Sequence, residues 1–111
     1  MVTDIYRSTQ HFSSGGMFGL TSQLRRSVVS VASNIAEGQG RLSKGEFRHF
    51  LGQARGWLTE LETQILIAGN LGLLNPKAVA QLFDRSGEVS RLLHGLMKSP
   101  QPIEPRTRTS D

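Results

Sequence analysis

From Phe47 to Ala68 the apolar residues Phe47, Leu51, Ala54, Leu58, Leu61, Ile65 and Ala68 recur at intervals of four and three without a break. An α-helix advances about 100° per residue, so this alternation draws one narrow stripe along a rod about 30 Å long. A β-strand would need a period of two, which the stretch never keeps. So narrow a stripe beds against other helices at a shallow crossing angle rather than onto a sheet. The chain is therefore expected to be all-α, with this seam inside a bundle.

The flanking residues delimit the rod and its neighbours. Ser43 and Glu46 form an S-x-x-E capping box at its start, with Leu42 and Phe47 placed as a hydrophobic staple. Gly69 and Gly72 mark its exit. Before it, Leu24, Val28, Val31 and Ile35 predict a helix from about Leu20 to Glu37, which Gly38 and Gly40 are expected to end in left-handed conformations. After it, Asn75 is the expected cap of a fourth helix, with Pro76 at its first position. That helix runs through Val79, Leu82, Phe83, Val89, Leu93, Leu96 and Met97 to near Ser99. A first segment, roughly Thr3 to Phe12, carries Ile5, Thr9 and Phe12 at helical spacing but is short, and "SSGGMFG" breaks the chain behind it. Long helices joined by short loops predict an antiparallel up-and-down four-helix bundle over residues 1–99 with a short first helix. Residues 100–111, proline-containing and basic, read as a disordered tail.

Composition narrows the chemistry. A chain of 111 residues builds one modest core, and without cysteine it has no disulfide, thiolate nucleophile or cysteine-ligated zinc. The uncharged stretch from Thr63 to Pro76 is broken by Gly69, Asn70 and Gly72 and falls short of the ~20 apolar residues of a membrane span. "MVTDIYRSTQ" lacks the basic-then-apolar order of a signal peptide, so a cytoplasmic protein is expected. The net charge is +4, and ten of the thirteen basic residues are arginine. That bias is ordinary surface charge in some small proteins. In others it marks a polyanionic partner, because the guanidinium fork matches phosphate and carboxylate.

Ser33 to Phe47, "SNIAEGQGRLSKGEF", invites three site readings. A phosphate-binding loop needs G-x-x-x-x-G-K-[ST] after a strand, and a dinucleotide fingerprint needs a third glycine where Ser43 stands; both fail on spacing and context. Glu46 and His49 make one Glu-x-x-His, but di-metal bundles use two such motifs and two further glutamates. Glu46 is assigned to the cap and His49 falls opposite the seam, so no metal is expected. His11, His49 and His94 are scattered with no nucleophile–base set around them, and no catalytic residue or cofactor is expected. The stretch reads as a helical corner, with Asn34, Glu37, Gly38, Gly40 and Arg41 as hinge and polar contacts.

The back of the third helix is unusual. A face meeting only water should carry lysine and glutamate, yet this one carries Gly45, Gly52, Gly56, Thr59 and Thr63, with Ile67 nearby. Glycines inside a helix cost about 1 kcal/mol each relative to alanine, and glycine at such spacing lets another backbone come close. A second packing surface is expected here, with Trp57 counted beside it as a core or interface residue, and subunit contact is favoured over packing within one bundle. Lys44, Arg48 and Arg55 line one edge of the same helix, while Arg25, Arg26 and Arg41 lie on the neighbouring helix and hinge.

The blocks "YRSTQHF", "GLTSQLRRSVVSVASNIAEGQGR", "EFRHFLGQARGWLTELETQ" and "LGLL" resemble the four-helix-bundle proteins encoded in intervening sequences of bacterial 23S rRNA genes. The resemblance runs from Ile5 to Met97. These proteins are in turn similar to the accessory protein of diversity-generating retroelements, a basic pentameric ring that contacts nucleic acid and a reverse transcriptase. The resemblance implies a cytoplasmic homopentamer of up-and-down bundles with no established enzymatic activity. Family motif positions fall on Gln23, Arg25, Arg26, Asn34, Glu37, Gly38, Arg41, Ala54, Gly56 and Glu60, without assigned roles. Relatives carry a longer first helix ahead of "YRST", a difference an internal start codon would produce, a proline and glutamate at "SSGGM", and serine in place of Trp57.

Together these readings favour a non-enzymatic oligomer that binds nucleic acid, structured RNA or an RNA-associated partner, through Arg25, Arg26, Arg41, Lys44, Arg48 and Arg55. The alternative is a protein–protein scaffold that binds no nucleic acid.

Overall fold

A computed structural model describes residues 1–10, 18–41 and 43–98. Four helices follow one another: α1 (Val2–Thr9), α2 (Phe18–Gln39), α3 (Lys44–Asn70) and α4 (Pro76–Lys98). Each packs on its neighbours in chain order, and α1 closes the ring against α4, so the architecture is an all-α bundle with a short first helix. Phe12, His11, Leu42 and the tail from Ser99 lie outside the described residues.

Every position of the α3 seam is buried, along with Ile5 of α1, Leu24, Val28 and Val31 of α2, and Leu82, Leu93 and Leu96 of α4. The four-three alternation thus became the axis of the core. On α4 the same spacing runs 79, 82, 86, 89, 93, 96, and its Ser86 is fully buried. The Ser86 hydroxyl donates to the Glu62 carboxylate on α3, which supplies the partner a buried hydroxyl requires. Glu62 is therefore part of the α3–α4 contact.

The caps follow their sequence signals. Ser43 Oγ accepts from the Glu46 amide at 3.0 Å, and Asn75 Oδ1 from the Ala78 amide at 2.8 Å. Glu46 itself is exposed, and the cap rests on the hydroxyl half of the box. At the exit of α3, Leu73 N donates to Ala68 O at 2.9 Å and Gly72 N to Gly69 O at 3.1 Å. Gly72 holds φ +77°, so this is a Schellman close that only a residue without Cβ enters freely.

The corner between α2 and α3 departs from expectation. Gly38 and Gly40 do not adopt left-handed conformations; Gly72 has the sole positive φ among the described residues. Helix α2 continues through Gly38 to Gln39. A Cβ on Gly38 would stand 3.2 Å from Phe50 Cβ and 3.4 Å from the Phe47 carbonyl oxygen. Gly38 is therefore a close-approach glycine, letting α2 and α3 converge at the turn. The glycine signal was read correctly as a corner and incorrectly as a backbone twist.

Candidate functional site

The outer side of α3 takes its form from what is missing. Gly45, Gly52, Gly56, Thr59 and Thr63 are all exposed, and a Cβ built on any of the three glycines would meet nothing within 4 Å among the described residues. Packing among the described residues therefore does not account for them. Thr59 and Thr63 return their hydroxyls to the carbonyls of Arg55 and Thr59 at 3.2 Å, which quiets their polarity and leaves methyl groups on the surface. Leu66, Ile67 and Leu71 extend this side, at 51%, 43% and 59% exposed. A shallow depression of about 630 Å³ runs beside Gly52 and Gly56, bordered by Arg48, Gln53, Trp57 and Glu60.

Trp57 stands on the α2 shoulder of this helix rather than on the glycine stripe. It is half-buried against the core, with the Arg26 guanidinium 5.4 Å above its ring. His49 is exposed with its ring edge against Phe50 at 5.3 Å, and Glu46 is exposed as well. Among the described residues no group of three or more His, Asp or Glu side chains is placed to hold a metal ion.

The six cations divide in two. Lys44 and Arg48 are exposed along the α3 edge, and Arg55 beside them directs one Nη at the Met97 sulfur at 3.8 Å. Of the other three, Arg41 and Arg25 are tied down, and Arg26 is exposed with its guanidinium over the Trp57 ring. Arg41 pairs with Glu37 at 2.6 Å and lies 4.8 Å over the Phe50 ring, a polar clasp on the corner. Asn34 donates to Ser30 O at 2.8 Å within its own helix. Gly40 is exposed at the turn, its amide donating to Glu37 O at 3.2 Å. Arg25 donates from Nε to Thr9 Oγ1 at 2.9 Å and stacks 4.5 Å from the Tyr6 ring centre, fastening α1 to α2. The roles of Thr9 and Tyr6 in holding Arg25 were not legible in the sequence. Thr9 showed only as a core position, and nothing local links residues sixteen apart.

Fold and surface together define a small helical bundle whose distinctive residues lie on its outer faces. No helix among the described residues is long and apolar enough to cross a membrane. The chain belongs to the 23S rRNA-intervening sequence protein family, whose model matches residues 1–95. Its fold is similar to that of a crystal structure from Bacteroides thetaiotaomicron VPI-5482, described as a protein with unknown function from the S23 ribosomal protein family. The two share 20% identity over 88% of this chain and 89% of the other, with a TM-score of 0.77. No curated protein matches the chain.

Proposed function

We propose that this protein is a non-enzymatic oligomer, a pentamer by the resemblance, that binds nucleic acid through arginine contacts to phosphates. The observation that carries this reading is the outer side of α3. Glycines open to solvent there lie beside Lys44, Arg48 and Arg55. A second copy seated on the glycines would recover the helix propensity they forfeit, about 1 kcal/mol each. Repetition around a ring would join the cations into a band that releases counterions from an RNA backbone. The structured RNA or RNA-bearing partner would be held by its backbone, without base-specific readout.

Light scattering, with absorbance at 260 and 280 nm on the same peak, tests both halves. A particle of several subunits is expected, with RNA affinity falling steeply as salt rises. Reversing Arg48 and Arg55 to glutamate should weaken binding while the helical signal stays. A monomer, or binding indifferent to salt, refutes the proposal. A protein-only scaffold is the second reading, favoured by exposed Leu66, Ile67 and Leu71. One stoichiometric protein partner in a nuclease-treated pull-down would select it.

A further inference from the structure

The depressions on this molecule differ in charge. The one beside Gly52 includes Glu60, and the one between α1 and α4 includes Asp4, Asp84 and Glu88. Another, about 480 Å³ between α1 and α2, has no carboxylate among the described residues that line it. Two arginines, Arg25 and Arg26, share it with Thr21, Ser22, Ser30, Tyr6 and Val29. On α2 these positions follow intervals of three and four, so they form one outer face of short side chains with guanidiniums beside it.

Arg25 is fixed in advance. Thr9 is 3% exposed and its hydroxyl donates to Ile5 O at 2.9 Å, so a lone pair of that oxygen is what meets Arg25 Nε. The Arg25 guanidinium carbon also lies over the Tyr6 ring, 4.5 Å from its centre. Only the Nε edge of the fork is used in this contact, leaving terminal N–H donors for another acceptor. Arg26, the next residue, is exposed and brings a second guanidinium. A bare anion would satisfy these donors and leave Tyr6 and Val29, each 40% exposed, uncovered. A ligand carrying a phosphate beside a flat, partly apolar group covers both.

We infer that this depression seats one nucleotide of an unpaired RNA segment, its phosphate on Arg25 and Arg26 and its base and ribose against Tyr6 and Val29. The inference rests on the nucleic-acid reading above and moves the specific contact from the α3 edge to the α1–α2 face. A duplex presents its backbone and keeps its bases stacked, so it would touch the arginines alone.

The test uses the full chain with a labelled single-stranded oligouridine and a duplex RNA of equal length. Arg25→Lys keeps the charge but loses the fork, and Tyr6→Leu keeps an apolar side chain but loses the ring. Each is expected to weaken single-strand binding by about tenfold, which corresponds to about 1.4 kcal/mol, with duplex affinity changed far less for Tyr6→Leu. Since Arg25 also fastens α1, the Arg25 Nε–Hε resonance of the unaltered protein is followed as well, and should shift when the single strand is added. Wild-type affinity in both variants, equal losses on duplex and single strand in Tyr6→Leu, or shifts confined to α3 would overturn the seat while salt-dependent binding preserved the wider proposal. Absence of RNA binding by the unaltered chain would overturn both.

Discussion

Replacing Gly52 by leucine separates the stability of one bundle from the stability of an assembly. Gly52 lies inside α3, is exposed, and has no atom of the described residues within 4 Å of an added Cβ. Leucine's helix propensity is close to alanine's, so the exchange should stabilise an isolated bundle by just under ~1 kcal/mol. No compensating clash arises at the Cβ, because the described residues leave open space there. For a domain of this size the gain corresponds to a melting temperature higher by about 4 °C. A second copy docked on the stripe would meet a branched side chain where bare backbone had been, and close approach would be lost. The two effects therefore carry opposite signs. Circular-dichroism melts at concentrations dilute enough to dissociate the particle should show the rise, while light scattering at higher concentration should show the mass fall. A lower melting point in the dilute regime would mean that the stripe is covered within its own bundle. A stabilised protein with unchanged particle mass would refute the subunit contact.

Leu61→Ala removes a fully buried side chain from the centre of the α3 seam and should cost about 3 kcal/mol, read as a fall of at least about 10 °C in melting temperature. Ser43→Ala deletes the acceptor of the Glu46 amide; a loss of about 1 kcal/mol in denaturant unfolding is expected, restored in large part by Ser43→Asp.

Much of the fold was legible because its cues are local. The α3 seam, the Ser43 cap, the Asn75–Pro76 start and the Gly72 close each rest on residues a few positions apart, and each formed where the spacing placed it. Ser86 shows the limit of that legibility. Its place in the α4 register was visible, but a serine does not announce burial, and its partner Glu62 lies on another helix. Gly38 was misread for a related reason. Glycine serves a left-handed turn and a close approach equally well, and only the position of Phe50 distinguishes them.

Of the candidate surface, the sequence by itself determined which residues lie on the outside of α3, since 3.6 residues per turn fixes the glycine and threonine positions opposite the seam. It also determined the excess of arginine. Tertiary structure decided which cations are held in contacts within the chain and which are exposed on α3. Arg25 is held by Thr9 and Tyr6, Arg41 by Glu37 and Phe50, and Arg26 lies over Trp57, whereas Lys44 and Arg48 stand along the open edge. The division has a physical cause. Periodicity along one helix sets direction, but a guanidinium's partner depends on how two helices meet, and Arg25 finds Thr9 and Tyr6 only because α1 packs on α2.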